Sequence, residues 1–516
     1  MVSTTSPTRK PSTPGATRTR AGPATKSVAP PTQRAAPRLR IRMYAHGLGD
    51  CLLLRFAKAD GGLFNVLIDC GIITMATGAR QTMKRVAEDI AQACEGRLDV
   101  VVMTHEHWDH ASGFSAQQAQ KIFDAIDIGE VWYGWTEDPQ NQLGQRLRQE
   151  RAEKVQALAM ATLALQRSPN LAAQERSKGL AAMLGFFGID PAAAEPGAGQ
   201  PIQRTRAAFE YLQKRRGVKT RYLYPEQAPM SLPGVAQGRV FVLGPPQDES
   251  LIKKSTPSKK AREVYELAAE AGLVTSLGAA FRRMALGEEA HAPLDDCPFD
   301  SGFQQSSKKS RVSPGLEDLI VATWDAPGEE WRMIEEHWTQ AAETLALNLD
   351  AHTNNTCVVL AFEFEDTGEV FLFPADAQVG NWLSWQDRKW RVRSAAGSVD
   401  VTGPELLSRT VFYKVGHHGS HNATLSAAGL EQMNSEALMA FIPVFKAQAR
   451  MNRWMNMPFN PLVNKLMEKT AGRLVQSDEK LPTAQQLSGL SPGARKKFLS
   501  SIQRDPGGLY FECSFG

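Results

Sequence analysis

Short apolar runs rich in Val, Ile, Leu and Phe punctuate the chain at 39–43, 51–56, 64–68, 100–103, 131–135 and 240–243. After a long gap the series resumes at 356–364, 370–373, 411–415 and 438–444, and it closes at 509–515. Runs of this length and composition predict strands. Between the third and fourth, residues 82–97 carry Val86, Ile90 and Cys94 at steps of four, which is one face of a helix. Strands separated by helical stretches predict an α/β fold in which sheets are layered against helices.

Two regions break the series. Around 141–230, Val155, Leu158, Thr162 and Leu165 recur at helical spacing among Ala, Gln, Arg and Glu. Around 247–350 the chain is again helical in character, with basic clusters at Lys253, Lys254, Lys259, Lys260 and at Lys308, Lys309, Arg311. Both fall between strand runs, so they read as largely helical insertions into one domain spanning 39–516. Residues 1–38 differ in kind: Pro7, Pro11, Pro14, Pro23, Pro30, Pro31 and Pro37 interrupt a stretch of Ser, Thr, Ala and Arg, the composition of a disordered basic tail.

Charge sharpens that division. The net charge is +4, but the nine basic residues before Asp50 meet no acidic one, leaving 50 basic against 55 acidic residues in the remainder, a net of −5. An acidic body weighs against a broad groove for duplex DNA. No run approaches the ~18 apolar residues of a membrane span, and no secretory apolar segment is visible near the start. Six cysteines lie scattered singly with no C-x-x-C pair, so the expected setting is a reducing cytoplasm.

The densest chemistry follows the run at 100–103, where Thr104 leads into His105, Glu106, His107, Trp108, Asp109 and His110. Two imidazoles at i and i+2, a carboxylate and a third imidazole are ligand types for cations such as Zn²⁺. Asp69, Asp376 and the pair His417 and His418 also come just after or at the end of apolar runs. Open α/β sheets collect ligand-binding groups beyond the carboxyl ends of their strands, so one sheet edge is expected to gather all of them.

This H-x-H-x-D-H string resembles the signature of the metallo-β-lactamase superfamily, whose fold is a four-layer αββα sandwich. Four further segments resemble, in order, motifs of the hydrolase domain of ComEC-type DNA-uptake proteins: Ala45-His-Gly-Leu-Gly-Asp-Cys51, Phe241-Val-Leu-Gly-Pro-Pro246, Asn355-Thr-Cys-Val-Val-Leu360 and Lys414-Val-Gly-His-His-Gly-Ser420. The resemblance spans most of 39–516 outside the insertions and includes none of the ComEC channel. It implies two divalent ions, Zn²⁺ first and Mn²⁺ as the alternative. One would take His105, His107 and Asp376; the other would take Asp109, His110, Asp376 and one of His417 and His418, with Asp69 supporting the loop. The remaining His of that pair, together with Lys414, Ser420 and His421, would then face substrate. A lone histidine that many superfamily members use has three candidates here, His291, His337 and His352. The His-Pro pair of the ComEC-like pattern is Met457-Pro458 in this chain.

The function implied is hydrolysis by a hydroxide held between two metals, with Asp109, His417 and His418 as the residues on which catalysis depends. A phosphodiester is the favoured substrate, with the acidic body pointing to a small diester or a short single strand, as for a phosphodiesterase or nuclease. The same centre also serves carbonyl substrates such as a lactone, thioester or β-lactam, and a non-catalytic binding or sensing module is the third reading.

Overall fold

A computed structural model of the chain describes residues 36–74, 76–167, 171–189, 204–254, 334–394, 397–452 and 454–516. Internal contacts divide the chain into Met1–Ala36, of which only Ala36 is described, and Pro37–Gly516. Residues 1–35 of the basic tail, Lys259, Lys260, His291 and the cluster at Lys308 therefore lie outside the described residues.

The second unit is a mixed α/β structure built on two large sheets. Its strands are β1 (Leu39–Tyr44), β2 (Cys51–Ala57), β3 (Leu63–Cys70), β4 (Arg97–Met103), β5 (Asp127–Gly134), β6 (Lys219–Leu223), β7 (Met230–Ser231), β8 (Gly238–Gly244) and β9 (Val359–Phe364). They continue with β10 (Glu369–Phe373), β11 (Lys389–Ser394), β12 (Gly397–Thr402), β13 (Thr410–Lys414), β14 (Met439–Ile442), β15 (Leu474–Gln476), β16 (Ile502–Arg504) and β17 (Tyr510–Phe515). The first sheet runs β16-β17-β1-β2-β3-β4-β5-β6 and the second β15-β14-β13-β10-β9-β8-β7, while β11 and β12 form a separate hairpin. In each sheet an antiparallel half gives way to a parallel half: β3 to β6 in the first, and β10, β13, β14 and β15 in the second.

Both faces of the central strands are buried, which is why they read in sequence as continuous apolar runs rather than alternating ones. On β4, Val100 and Val102 join an apolar cluster that also takes Phe362, Phe371, Phe373, Phe412 and Phe441 from the second sheet. Leu98, Val101 and Met103 turn the other way, into a cluster with Met83, Val86 and Ile90 of the helix Ala79–Ala93. Ring contacts join the sheets directly, Phe56 to Phe362 at 5.4 Å and Phe371 to Phe515 at 4.8 Å between centroids.

The region 141–230 differs from its helical expectation at one end. Helices Gln142–Gln166, Leu171–Phe186 and Arg204–Gln213 are followed by β6, which pairs in parallel with β5 at the sheet edge. Its polar sequence Lys-Thr-Arg-Tyr-Leu suits an edge strand with an exposed side, and for that reason carries no apolar run to betray it. The second region ends in the helix Ile334–Asn355, which runs through to Asn355 and leaves Thr356 to Val358 as a link, so β9 begins only at Val359. The run at 131–135 likewise ends one residue early, at Gly134, before the single turn Trp135–Glu137. Among the described residues, no helix is long and apolar enough to cross a membrane.

Candidate metal centre

The parallel halves of both sheets deliver their carboxyl ends to one place. Asp69 sits near the end of β3, the His105 to His110 segment follows β4, Asp376 follows β10, and His417 and His418 follow β13. Four residues here adopt left-handed backbone that side chains resist: Asp69 (φ 53°), Ala375 (φ 51°), His417 (φ 41°) and His418 (φ 52°). Strain concentrated in this way is tolerated where surrounding structure over-determines the backbone, commonly at sites with a chemical task. The chains approach closely: a Cβ on Gly71 would lie 2.4 Å from the Asp109 carbonyl carbon and 2.5 Å from the His110 nitrogen, so only glycine fits there.

Asp69 organises the loop. Its Oδ1 accepts from the Thr104 amide at 2.9 Å and its Oδ2 from the Thr104 hydroxyl at 2.6 Å, and Oδ2 also lies 2.7 Å from His110 Nδ1. With Nδ1 so engaged, His110 turns Nε2 inward, 3.2 Å from Asp376 Oδ2 and 3.8 Å from Asp109 Oδ2. His418 is held in the same manner, Nδ1 against the Pro443 carbonyl at 2.7 Å and Nε2 at 3.0 Å from Asp109 Oδ2. His105 Nε2 lies 3.0 Å from His107 Nδ1, and the His105 and His110 rings are 4.2 Å apart. Asp69, His105, His107, Asp109, His110, Asp376 and His418 are all buried.

The pair His417 and His418 divides. His418 joins Asp109, whereas His417 places Nδ1 3.0 Å from the Ser420 hydroxyl and 3.3 Å from Gln378 Nε2. The His417 amide meanwhile donates to Asp376 Oδ1 at 3.0 Å. Lys414 is buried against Asp50, 2.9 Å from the Ala375 carbonyl and 3.4 Å from Asp376 Oδ1, so its ammonium serves the carboxylates. His421 is exposed, its ring beside Phe459 at 6.1 Å. His352 lines a small cavity with Arg148, Arg151, Lys154 and Lys253, where burial and the two lysines hold its pKa down to about 3. His337 falls on the helix Ile334–Asn355, but its side chain lies outside the described ones.

Two acids that bear on the centre were not singled out from the sequence. Asp50, in the loop after β1, offers a carboxylate oxygen that clusters with ligand atoms of His110, Asp376 and His418, all within 4.8 Å of one another. Its place inside Ala45-His-Gly-Leu-Gly-Asp-Cys51 was the available hint. Asp350, on the helix Ile334–Asn355, is buried, and burial with the nearby Asp376 and Asp109 pushes its carboxyl up to about 8. Nothing in its local sequence distinguishes it from other helix-surface acids.

The electrostatics fit a cation. Burial opposes charge on His110, yet Asp376, Asp109, Asp69 and Asp50 together push its pKa well above the ordinary histidine value. Burial likewise opposes ionisation of Asp376, and His110, Lys414 and His417 overcome it to hold that carboxyl well below the carboxylate range. His107 and His417, by contrast, are driven by burial to about 3 and about 4, and are therefore neutral bases near pH 7. Among the described residues, Asp50 Oδ1, His107 Nε2 and Asp109 Oδ1 are buried without a hydrogen-bond partner, and His110 Nε2 and Asp376 Oδ2 have only their 3.2 Å ion contact with each other. Buried lone pairs left unmet are costly, and a divalent cation is the ligand that nitrogen and carboxylate donors jointly accept. Phe186 and Phe187 cover the loop, the latter edge-on to His107 at 4.9 Å, and Trp454 stacks on Phe186.

No protein-family model matches the chain, and no curated protein matches it.

Proposed function

We propose that this protein is a divalent-metal-dependent hydrolase with the four-layer αββα arrangement of the metallo-β-lactamase superfamily, acting on phosphodiesters and most favourably on short or single-stranded nucleic acid. The observation that carries the reading is the buried donor set Asp50, His110, Asp376 and His418, joined by Asp109, His105 and His107, in which every residue but Asp50, from the loop between antiparallel β1 and β2, follows the carboxyl end of a parallel strand. The shared apolar layer between the sheets, with helix Ala79–Ala93 behind the first, supports the layered assignment.

Nitrogen and carboxylate donors suit Zn²⁺, with Mn²⁺ as the alternative. Bound divalent ions would lower the pKa of a water and neutralise charge developing on the scissile group. The chain's own part is orientation. Asp69 fixes the ring of His110 and the Pro443 carbonyl that of His418, leaving each Nε2 directed at the cluster. Phe186, Phe187 and Trp454 exclude water from the His107 side, which strengthens every charge interaction within. His417, neutral and in contact with the Ser420 hydroxyl, is placed to accept or share a proton beside Asp376.

Metal content by mass spectrometry, paired with hydrolysis of bis-p-nitrophenyl phosphate with and without chelator, tests this. Metal binding together with cleavage that is lost on chelation and in Asp109→Ala and Asp376→Ala is the expected result. Metal without phosphodiester cleavage would move the assignment to carbonyl esters such as lactones, thioesters or β-lactams. A chain that binds no metal would leave only a binding module.

A further inference from the structure

A cavity of about 320 Å³ lies on the insertion side of the metal loop, lined by Glu106, Arg148, Arg151, Phe187, Thr205 and Arg206 among others. Two of its lining residues adjoin the metal loop. Glu106 stands between His105 and His107 in sequence, and Phe187 packs against the His107 ring.

Its charges do not balance in pairs. Arg151 bridges Glu106 and Glu137, the latter at 3.3 Å, and Arg206 bridges the same two carboxylates at 3.2 and 2.5 Å. That leaves Arg148, the third guanidinium, donating to the carbonyls of Thr136 and Asp138. Burial, with Arg206 and Arg151 beside it, pulls Arg148 below the usual arginine value even though Glu137 opposes this. Glu210, also on the lining, is shared by Arg206 at 3.6 Å and Lys214 at 2.6 Å, so Arg148 is the lining guanidinium with no carboxylate within 4 Å among the described residues. Thr205 adds a buried hydroxyl with no hydrogen-bond partner among the described residues. The volume matches the small end of ligand sites, ~300 to 1,000 Å³, and guanidinium groups are the preferred partners of phosphate.

We infer that this cavity is a subsite for a second, non-scissile phosphate of the substrate, with Arg148 as its principal contact. The inference rests on the hydrolase reading and narrows it: the preferred substrate is a short single strand bearing a terminal phosphate next to the diester that is cut. Glu106 couples the two places, since the carboxylate that holds Arg151 and Arg206 belongs to the same loop as the histidines.

Two measurements separate the subsite from the centre. The first is calorimetric binding of inorganic phosphate to the full chain in chelator, for wild type, Arg148→Met and Arg148→Lys. Phosphate is expected to bind wild type, to bind Arg148→Met at least tenfold more weakly, and to be partly restored by Arg148→Lys. The second is the ratio of kcat/KM for the dinucleotide pdTpdT to that for dTpdT. This ratio is expected to exceed ten in wild type and to fall toward one in Arg148→Met, through KM rather than kcat. If neither dinucleotide is cut while phosphate still binds through Arg148, the hydrolase reading fails and the anion site survives. Phosphate binding that is absent or indifferent to Arg148, or a wild-type ratio near one, overturns the subsite.

Discussion

Replacing Lys414 by methionine should strip the metal-free protein of several kcal/mol and make its stability depend on added metal. The ammonium is 1% exposed, contacts Asp50, and lies 3.4 Å from Asp376 Oδ1. Coulomb's law at an effective dielectric of ~20 gives about 5 kcal/mol of gross attraction for the Asp376 pair alone. Removing one partner of a buried pair costs ~3 to 5 kcal/mol because the other charge is stranded. At ~2 °C per kcal/mol for a large domain, the melting temperature in chelator should fall by roughly 5 to 10 °C. Burial opposes charge on Lys414, but Asp50 and Asp376 raise its pKa above the ordinary lysine value. The contribution is therefore present in full below the unfolded pKa of ~10.4 and is lost only above the higher folded value, so a melt at pH 8 reads all of it. A divalent cation supplies the missing charge, so Zn²⁺ should raise the melting temperature of Lys414→Met by more than that of wild type, and Lys414→Arg should recover part of the loss. A Lys414→Met melt in chelator within about 1 °C of wild type, or equal stabilisation of both by metal, would refute the charge-balance reasoning.

Asp69→Asn should lower metal affinity ~10- to 100-fold, as other outer-shell changes do, measurable by competition with a chromogenic chelator, because Thr104 and His110 lose their common anchor; unchanged affinity would remove Asp69 from the support of the centre. Gly71→Ala should force the Asp109 and His110 backbone aside and show the same loss of metal while far-ultraviolet circular dichroism stays native; retained affinity would mean that the loop yields to a methyl group at little cost. Asp350→Asn should stabilise the metal-free protein at pH 8 and not at pH 4. The carboxyl is raised to about 8, so its stabilising proton is present below the unfolded value of ~3.9 and is lost as pH climbs through 8, a penalty of up to ~5 kcal/mol. Chemical denaturation at the two pH values in chelator checks this, and an equal effect at both would count against it.

Much of the fold is legible along the chain because buried strands write themselves as apolar runs. Those at 39–43, 51–56, 64–68 and 370–373 fall within β1, β2, β3 and β10. What escaped was structure stabilised by few residues or by polar faces: the edge strand β6, the hairpin of β11 and β12, which buries Trp390, Val392 and Val401, and the short helices Val379–Ser384 and Gly403–Ser408. Local periodicity cannot report elements whose burial comes from distant partners.

The centre divides along the same line. Sequence alone determined which ligand types were present and that His105, His107, Asp109 and His110 share one loop, because strand-end spacing is a local property. Only the tertiary structure decided that His418 rather than His417 meets Asp109, since the left-handed turn at both residues sets which ring faces inward. It also decided that Lys414 is spent on Asp50 and Asp376, that Asp50 reaches the cluster from a loop, and that Asp350, on an insertion helix, feels the charges of Asp376 and Asp109. Proximity across hundreds of residues is created by sheet order and register, and a linear reading of residue types carries neither.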